Sequence, residues 1–147
     1  MTPAEQSLQA STLRDANQLI QYSPYARLIG MQVVHIGKQM MFVLPPIKSN
    51  IGNPSLPAIH GGCIAGFMEN AARLHVLASD AFDFENGQPL PRVVNFSLDY
   101  LRPGRLLYTY ASCRVERQGR KVVNVSVKAW QTNYQEPIAR ARTQLLL

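Results

Sequence analysis

The segment that most constrains the fold lies near the middle of the chain, where residues 61–78 are apolar on more than one face of a helix. The apolar side chains are Ile64, Phe67, Met68, Ala71, Leu74 and Leu77. A surface helix carries one apolar stripe, whereas a helix with several apolar faces is buried. We therefore expect a core helix that begins at Gly61 or Gly62 and ends near Ala78, with the rest of the chain packed around it.

Strand patterns account for most of the remaining chain. Residues 31–45 predict two strands around a Gly37-Lys38 turn, and the prolines at 45 and 46 stop the second strand. Four more strand segments follow the helix: RVVNFSLDYL, LLYTYASCRVE, KVVNVSVKAWQT and PIARARTQLLL. They are separated by turns at RPGR, RQGR and NYQE, so the last three are expected to form an antiparallel meander.

The first of these four strands alternates most regularly. Its apolar face is expected to carry Val94, Phe96, Leu98 and Tyr100, and its polar face Asn95, Ser97 and Asp99. Asp99 on that polar face is interpreted as a solvated or interface acid. A half-buried strand of this kind packs one face on the core.

The N-terminal region predicts less regular structure. Residues 4–20 favour a short amphipathic helix that the proline of YSPY ends, within an N-terminal extension of residues 1–22. Residues 48–58 are rich in Asn, Gly, Pro and Ser and predict a loop. The 147 residues suit a single domain, and the element order predicts an α+β fold with one antiparallel sheet wrapped around the central helix.

The formal net charge of +6 favours anionic partners, which include nucleic acid, membrane surfaces and phosphate-bearing small molecules. The basic residues are scattered over strands and turns, with no aromatic-interleaved basic motif and no basic helix, which argues against nucleic acid and membrane. No run approaches the roughly 20 apolar residues of a membrane span, and no export leader is recognisable. Cys63 and Cys113 lack the spacing of a zinc site or disulfide framework, so we expect a soluble, cytoplasmic, metal-free protein.

Gly61 and Gly62 stand at the first turn of the central helix, directly after His60. Without Cβ atoms, their backbone N–H groups at the positive end of the helix can be approached closely by an oxygen. Donors oriented in this way stabilise developing negative charge on a carbonyl. The alternative is that small residues only allow a loop to cross the helix.

Glu69 lies seven residues after Gly62, almost on the same helical face and about 10 Å further along the axis. Its neighbours on that face, Ala65, Ala72 and Val76, are small or apolar, so the carboxylate borders a poorly solvated groove suited to a general base. The alternative is a surface ion pair with Arg73, one turn later.

The motif HGGCIAGFMENAA, followed about thirty residues later by VNFSLDYLRPGR, resembles the PaaI-type branch of the hotdog-fold acyl-CoA thioesterases. In that family HGG opens the central helix and an acid follows nine residues after the histidine, which is the spacing of His60 and Glu69. The similarity covers residues 28–147, including the strand order and the Gly119-Arg120 turn.

The resemblance implies a homo-oligomeric hotdog-fold thioesterase, a dimer or a dimer of dimers, acting on acyl-CoA without a separate cofactor. Gly62 N–H and His60 polarise the thioester carbonyl, Glu69 activates water or attacks directly, and Asn53 positions water. Gly61 and Arg73 border the substrate, where Arg73 is larger than the family's usual residue and shortens the acyl pocket. The phosphates of coenzyme A are expected to meet one or more of four basic residues on turns: Arg102, Arg105, Arg120 and Lys121.

Three alternatives remain open from the sequence. A dehydratase or hydratase of the same fold is disfavoured because no matching His/Asp dyad is present. A non-catalytic acyl-CoA sensor or scaffold would use the same groove with Arg73 neutralising Glu69. Cys63, at a helix N-terminus, has the position of a thiolate nucleophile, although a small buried filler is the preferred interpretation.

Overall fold

The computed structural model of the chain describes residues 20–36, 39–53, 55, 57–79 and 89–147. Most of the predicted N-terminal helix and the Gly37-Lys38 turn lie outside these residues. The described part begins with a 3-10 helix, Ile20–Tyr22, and the α-helix α1, Pro24–Leu28.

Pro24, expected from the sequence to follow the end of a helix over residues 4–20, opens α1, while that predicted helix itself lies largely outside the described residues. Ser23 is the N-cap of α1, and its side chain accepts a hydrogen bond from Ala26 N–H at 3.2 Å. Proline suits the first helical position because its fixed φ matches the helix and its missing N–H would have no intrahelical partner. The sequence SPY therefore starts a helix.

The predicted arrangement of one antiparallel sheet and one long helix is confirmed. The long helix α2 spans Gly61–Leu77 with Ala78 as its C-cap, as the apolar pattern indicated. The strands are β1 (Gln32–Ile36), β2 (Gln39–Leu44), β3 (Ile51–Asn53), β4 (Ala58–Ile59), β5 (Arg92–Tyr100), β6 (Thr109–Gln118), β7 (Val122–Trp130) and β8 (Ala139–Leu146). Six of them form one sheet in the order β1-β2-β6-β7-β8-β5.

The core lies between this sheet and α2. Phe67, Met68 and Ala71 of the helix are fully buried, and they belong to the same apolar cluster as Phe42 of β2 and Leu145 of β8. The strands β6, β7 and β8 pair consecutively, so the predicted meander is confirmed. The long helix is thus the element around which the sheet closes.

Strand β5 forms the edge of the sheet next to β8. Its sequence alternation only partly predicts which of its side chains face the core. Phe96 and Leu98 pack against the core as expected, but Val94 is 57% exposed. The register of β5 against β8 shifts between Val93 and Asn95, so Val93 takes the inward position in place of Val94. A bulge of this kind inserts one residue and changes which side chains face the core.

Residues 48–58 are more regular than the predicted loop. They contain a 3-10 helix, Lys48–Asn50, followed by β3 and β4, which pair antiparallel as a separate two-stranded sheet. Ile59, at the end of β4, donates a backbone hydrogen bond to Gly104 at 2.8 Å. This small sheet leads the chain directly to His60 and the start of α2.

Candidate active site

The N-terminus of α2 is capped by the side chain of His60. His60 Nδ1 accepts a hydrogen bond from Gly62 N–H at 3.0 Å. Because Nδ1 is the acceptor, the proton of the neutral imidazole lies on Nε2, which is the donor left for another group. The Gly62 N–H that the sequence analysis assigns to a substrate carbonyl is therefore bonded to the exposed His60 ring in this structure.

A buried asparagine that the sequence analysis missed holds the backbone before this helix. Asn50 is 2% exposed, and its Nδ2 donates to the carbonyls of Ile29 at 3.0 Å and Pro45 at 3.2 Å. The backbone carbonyl of Asn50 accepts a hydrogen bond from His60 N–H at 2.8 Å. The KSN sequence offered no signal for this role, since an asparagine in a polar segment is ordinarily a turn residue.

Gly52 keeps His60 close to the small β3-β4 sheet. A Cβ atom at Gly52 would lie 2.8 Å from the Cα atom of His60, so a larger residue there would displace the backbone. The close approach explains a glycine at this strand position. Together, Asn50 and Gly52 determine where His60 enters the helix.

The other side of the helix N-terminus contacts the end of β5. Tyr100 Oη donates to the carbonyl of Gly61 at 2.6 Å. Gly61 is thus in contact with the edge strand, and Tyr100 remains 55% exposed. This hydrogen bond connects the edge strand β5 to the first turn of α2.

Glu69 lies on the face of α2 that carries Gly62. At about 100° per residue, Gly62, Gly66, Glu69 and Arg73 fall within about 60° of one another around the helix axis. Glu69 is partly buried, and the alternative ion pair with Arg73 does not form. Arg73 Nε instead donates to the carbonyl of Pro91 at 3.0 Å, which turns its guanidinium toward the start of β5. Within the described ranges, the ion pair present is Arg114–Glu116, on β6.

The helix α1 also borders this face of α2, a contact that the sequence did not predict. Ser23 Oγ donates to Asn70 Oδ1 at 2.6 Å, and Asn70 Nδ2 donates to the Gly66 carbonyl at 2.7 Å. Tyr25 lies against Gly66 and hydrogen-bonds Cys63. The Ser-Pro pair is a signal for the start of α1, but nothing local indicates that Tyr25 meets α2.

Cys63 has the properties of the buried filler expected from the sequence. It is 6% exposed, and burial raises the pKa of its thiol, an effect that the hydrogen bond from Tyr25 partly offsets. A raised pKa leaves little thiolate near neutral pH. The structure therefore favours packing over nucleophilic catalysis for Cys63.

The four basic residues predicted to meet coenzyme A lie at two different ends of the subunit. Arg102 and Arg105 follow Tyr100, at the end of the sheet where Tyr100 contacts Gly61 of α2. Arg105 also forms a backbone bridge with Ala58. Arg120 and Lys121 precede Val122, which pairs with Leu146 and so lies at the opposite end. Within one subunit, only the first pair is near the N-terminus of α2.

Two further expectations concern side-chain placement and metal. Asn53 ends β3, but its side chain lies outside the part of the chain that the structure describes. In the described residues, no three His, Cys, Asp or Glu side chains are grouped as metal ligands. Helices within the same residues are all too short or too polar to cross a bilayer.

The comparisons with known proteins agree with this geometry. The model of the Thioesterase superfamily matches residues 56–138, which include α2 and β5 to β7, so the chain belongs to this superfamily. A protein of known structure from Chromobacterium violaceum is 34% identical to it, with 97% of this chain and 96% of that chain covered and a TM-score of 0.73. Comparison with curated proteins finds no match.

Two more distant structures share the fold. A phenylacetic acid degradation-related protein from Ralstonia eutropha is 19% identical over 85% of this chain and 90% of its own, with a TM-score of 0.72. A Bacillus halodurans protein whose structure contains CoA is 20% identical over 99% of this chain and 94% of its own, with a TM-score of 0.67. The antiparallel sheet around one long helix is the hotdog fold of this superfamily, as the sequence resemblance implied.

Proposed function

We propose that the protein is an acyl-CoA thioesterase of the PaaI-type branch. The observation that carries this proposal is the Glu69 carboxylate, which has no cationic partner among the described residues and shares a helical face with Gly62. In the reaction, the oxygen of water or of Glu69 adds to the thioester carbonyl carbon and the C–S bond breaks. Coenzyme A takes up a proton and leaves as the thiol. If water is the nucleophile, the acyl group is released directly as the free acid. If Glu69 is the nucleophile, water must first hydrolyse the acyl-Glu69 anhydride.

The N-terminus of α2 supplies the electrophilic side of the site. Gly62 N–H carries the positive partial charge of the helix end and is bonded to the exposed His60 ring. A substrate carbonyl replaces Nδ1 at this N–H without leaving a buried polar group unpaired, because the imidazole is exposed to water. His60 Nε2–H is then available as a second donor to the same oxygen.

A complete site requires two subunits in this proposal. Gly62 and Glu69 of one helix are separated by about 10 Å along the axis, and a glutamate side chain reaches back toward the helix N-terminus by about half of that distance, so a site within one chain would be strained. The nine-residue strand β5 forms one edge of the sheet, with unpaired backbone groups available to a second copy. Two-fold pairing of β5 edges sets the two central helices antiparallel, and each Glu69 then approaches the partner subunit's Gly62. Pairing of two such dimers gives the tetrameric alternative.

The position of Arg102 and Arg105 supports a coenzyme A substrate. Both residues are exposed at the end of the sheet where α2 begins, and guanidinium groups bind phosphates through charged hydrogen bonds. The Bacillus halodurans relative of the same fold was crystallised with CoA. Arg120 and Lys121 contribute to the same ligand only where another subunit brings them to it.

The non-catalytic sensor alternative required Arg73 to neutralise Glu69. Arg73 donates to the Pro91 carbonyl instead, which leaves the carboxylate without that partner. The observation that favoured a sensor from the sequence is therefore absent in the described residues.

Hydrolysis of a panel of acyl-CoA esters, followed by release of free thiol, tests the proposal. The panel contains short, medium and long straight acyl chains together with an aromatic ester. We expect turnover of at least one ester by the wild-type protein and a kcat at least about 100-fold lower for Glu69→Gln. Tight binding of these esters without thiol release would overturn the proposal in favour of the sensor.

A further inference from the structure

The phenol ring of Tyr25 lies directly over Gly66, on the helical face between Gly62 and Glu69. A Cβ atom at Gly66 would be 2.8 Å from both Cζ and Oη of Tyr25, closer than any side chain tolerates. Residue 66 must therefore be glycine for the ring to rest in this position. Tyr25 is 38% exposed, so part of its side chain is accessible on this face of the helix.

The hydroxyl group of this ring is held by its surroundings. Burial, together with the neighbouring Cys63 and Glu69, raises the pKa of Tyr25, so the phenol remains a neutral donor. It donates to Cys63, which lies one turn before Gly66 on α2. The hydroxyl therefore adds a bond to α2 beside the packing of the ring on Gly66.

The backbone that carries Tyr25 is also anchored at both ends of α1. Ser23 bonds Asn70 at 2.6 Å next to Glu69, and Asn50 bonds the Ile29 carbonyl at 3.0 Å just after the helix. Both hydrogen bonds are buried, and loss of either would leave a polar group unpaired. Displacing the Tyr25 ring requires work against these contacts, so the ring is held in place on this face of α2.

The direction of an acyl chain in the groove follows from the position of the cationic residues. Arg102 and Arg105 lie at the end of the subunit where α2 begins, which directs coenzyme A to that end. With its carbonyl at Gly62, an acyl chain must extend the other way along α2. It then meets Gly66, one turn further on, and the ring that covers it.

We propose that the Tyr25 ring over Gly66 limits the size of the acyl group, so that the protein binds short acyl-CoA esters in preference to long ones. This inference rests on the proposed thioesterase function because it places the acyl chain in the same groove. Tyr25 acts here as a specificity-determining residue and takes no part in the chemistry.

The inference is tested with non-hydrolysable thioethers, S-butyl-CoA and S-decyl-CoA, whose binding is measured by titration calorimetry. We expect the wild-type protein to bind S-butyl-CoA more tightly. Tyr25→Ala should shift the affinity ratio at least about tenfold toward S-decyl-CoA, the scale expected when a few more methylene groups become buried. The matched variant Tyr25→Phe keeps the ring, so it should keep the wild-type ratio.

The outcomes separate this inference from the proposed function. An unchanged ratio in Tyr25→Ala, or a wild-type preference for S-decyl-CoA, would overturn the inference even if the protein hydrolyses acyl-CoA. If Tyr25→Ala shifts the ratio but the wild-type protein hydrolyses no ester, the size limit set by Tyr25 would be supported and the proposed thioesterase function would be overturned. If Tyr25→Ala does not fold, Tyr25→Leu provides the same comparison with a shorter apolar side chain.

Discussion

Glu69 and Arg73 are one turn apart on α2, yet the Arg73 guanidinium bonds the Pro91 carbonyl at 3.0 Å and the Glu69 carboxylate is left without it. An i, i+4 pair of these residues on an exposed helix would ordinarily be worth only about 0.3 to 0.5 kcal/mol. A single hydrogen bond to the backbone just before the edge strand therefore competes with it successfully. The result is a partly buried carboxylate that has no counter-ion in its own helix.

This geometry predicts the effect of Glu69→Gln. The amide keeps the size of the side chain but can neither accept a proton from water nor attack a thioester, so kcat should fall at least about 100-fold. Thermal stability and the affinity for a non-hydrolysable thioether should remain close to those of the wild type. The matched control is Glu116→Gln, the same change at an exposed residue of β6 paired with Arg114, which should leave kcat unchanged. Near-normal turnover by Glu69→Gln would contradict the mechanism.

A second prediction concerns subunits that are defective in different halves of the site. His60→Ala and Glu69→Ala should each be inactive alone, and mixing them under conditions that allow chain exchange should restore activity. Random pairing makes half of the dimers mixed, each with one intact site of two, so about a quarter of wild-type activity should return. Native mass spectrometry confirms that exchange has occurred. Exchange without any recovered activity would mean that each site lies within one chain.

The cationic residues predict how the reaction responds to salt. Exposed contacts between guanidinium groups and phosphates are screened as ionic strength rises, so KM for an acyl-CoA should increase while kcat changes little. Arg105→Ala, near the start of α2, should raise KM at low salt and weaken its salt dependence. The comparison variant is Arg114→Ala on β6, an exposed arginine outside the proposed substrate contacts, which should behave as the wild type does. A KM independent of salt would argue against these phosphate contacts.

His75, on the last turns of α2, predicts how stability depends on pH. Burial lowers the pKa of its imidazole below the ordinary value, and its Nδ1 atom has no hydrogen-bond partner in the described part of the chain. The unfolded chain therefore takes up a proton near pH 6.5 before the folded chain does. The free energy of unfolding should fall as pH decreases through about 6.5 and stop falling below the folded-state pKa. Chemical denaturation between pH 5 and pH 8 measures how the free energy of unfolding depends on pH, and His75→Gln should weaken this dependence. If the variant shows the same dependence as the wild type, groups other than His75 cause it.

Much of the fold followed from local patterns. The apolar faces of residues 61–78 predicted α2 to within a residue or two, and the alternation and turns of the C-terminal half predicted the meander of β6, β7 and β8. These elements are predictable because burial on several helical faces, or on alternate strand positions, leaves a periodic record in the sequence. The spacing of His60 and Glu69 likewise identified two residues of one element, because His60 is the N-cap of α2 and Glu69 lies within that helix.

What tertiary structure alone decided were the contacts between segments far apart in the chain. The sequence by itself established one core helix, its glycine-rich start and the carboxylate two turns later. It contained no local signal that Arg73 would bond Pro91, that Asn50 would join three backbone segments, or that Tyr25 would cover Gly66. A bulge in β5 likewise exchanged Val93 for Val94 at the core. Periodicity indicates whether a side chain is buried. Which residue that side chain contacts depends on which elements pack together, and this packing is determined by the whole chain at once.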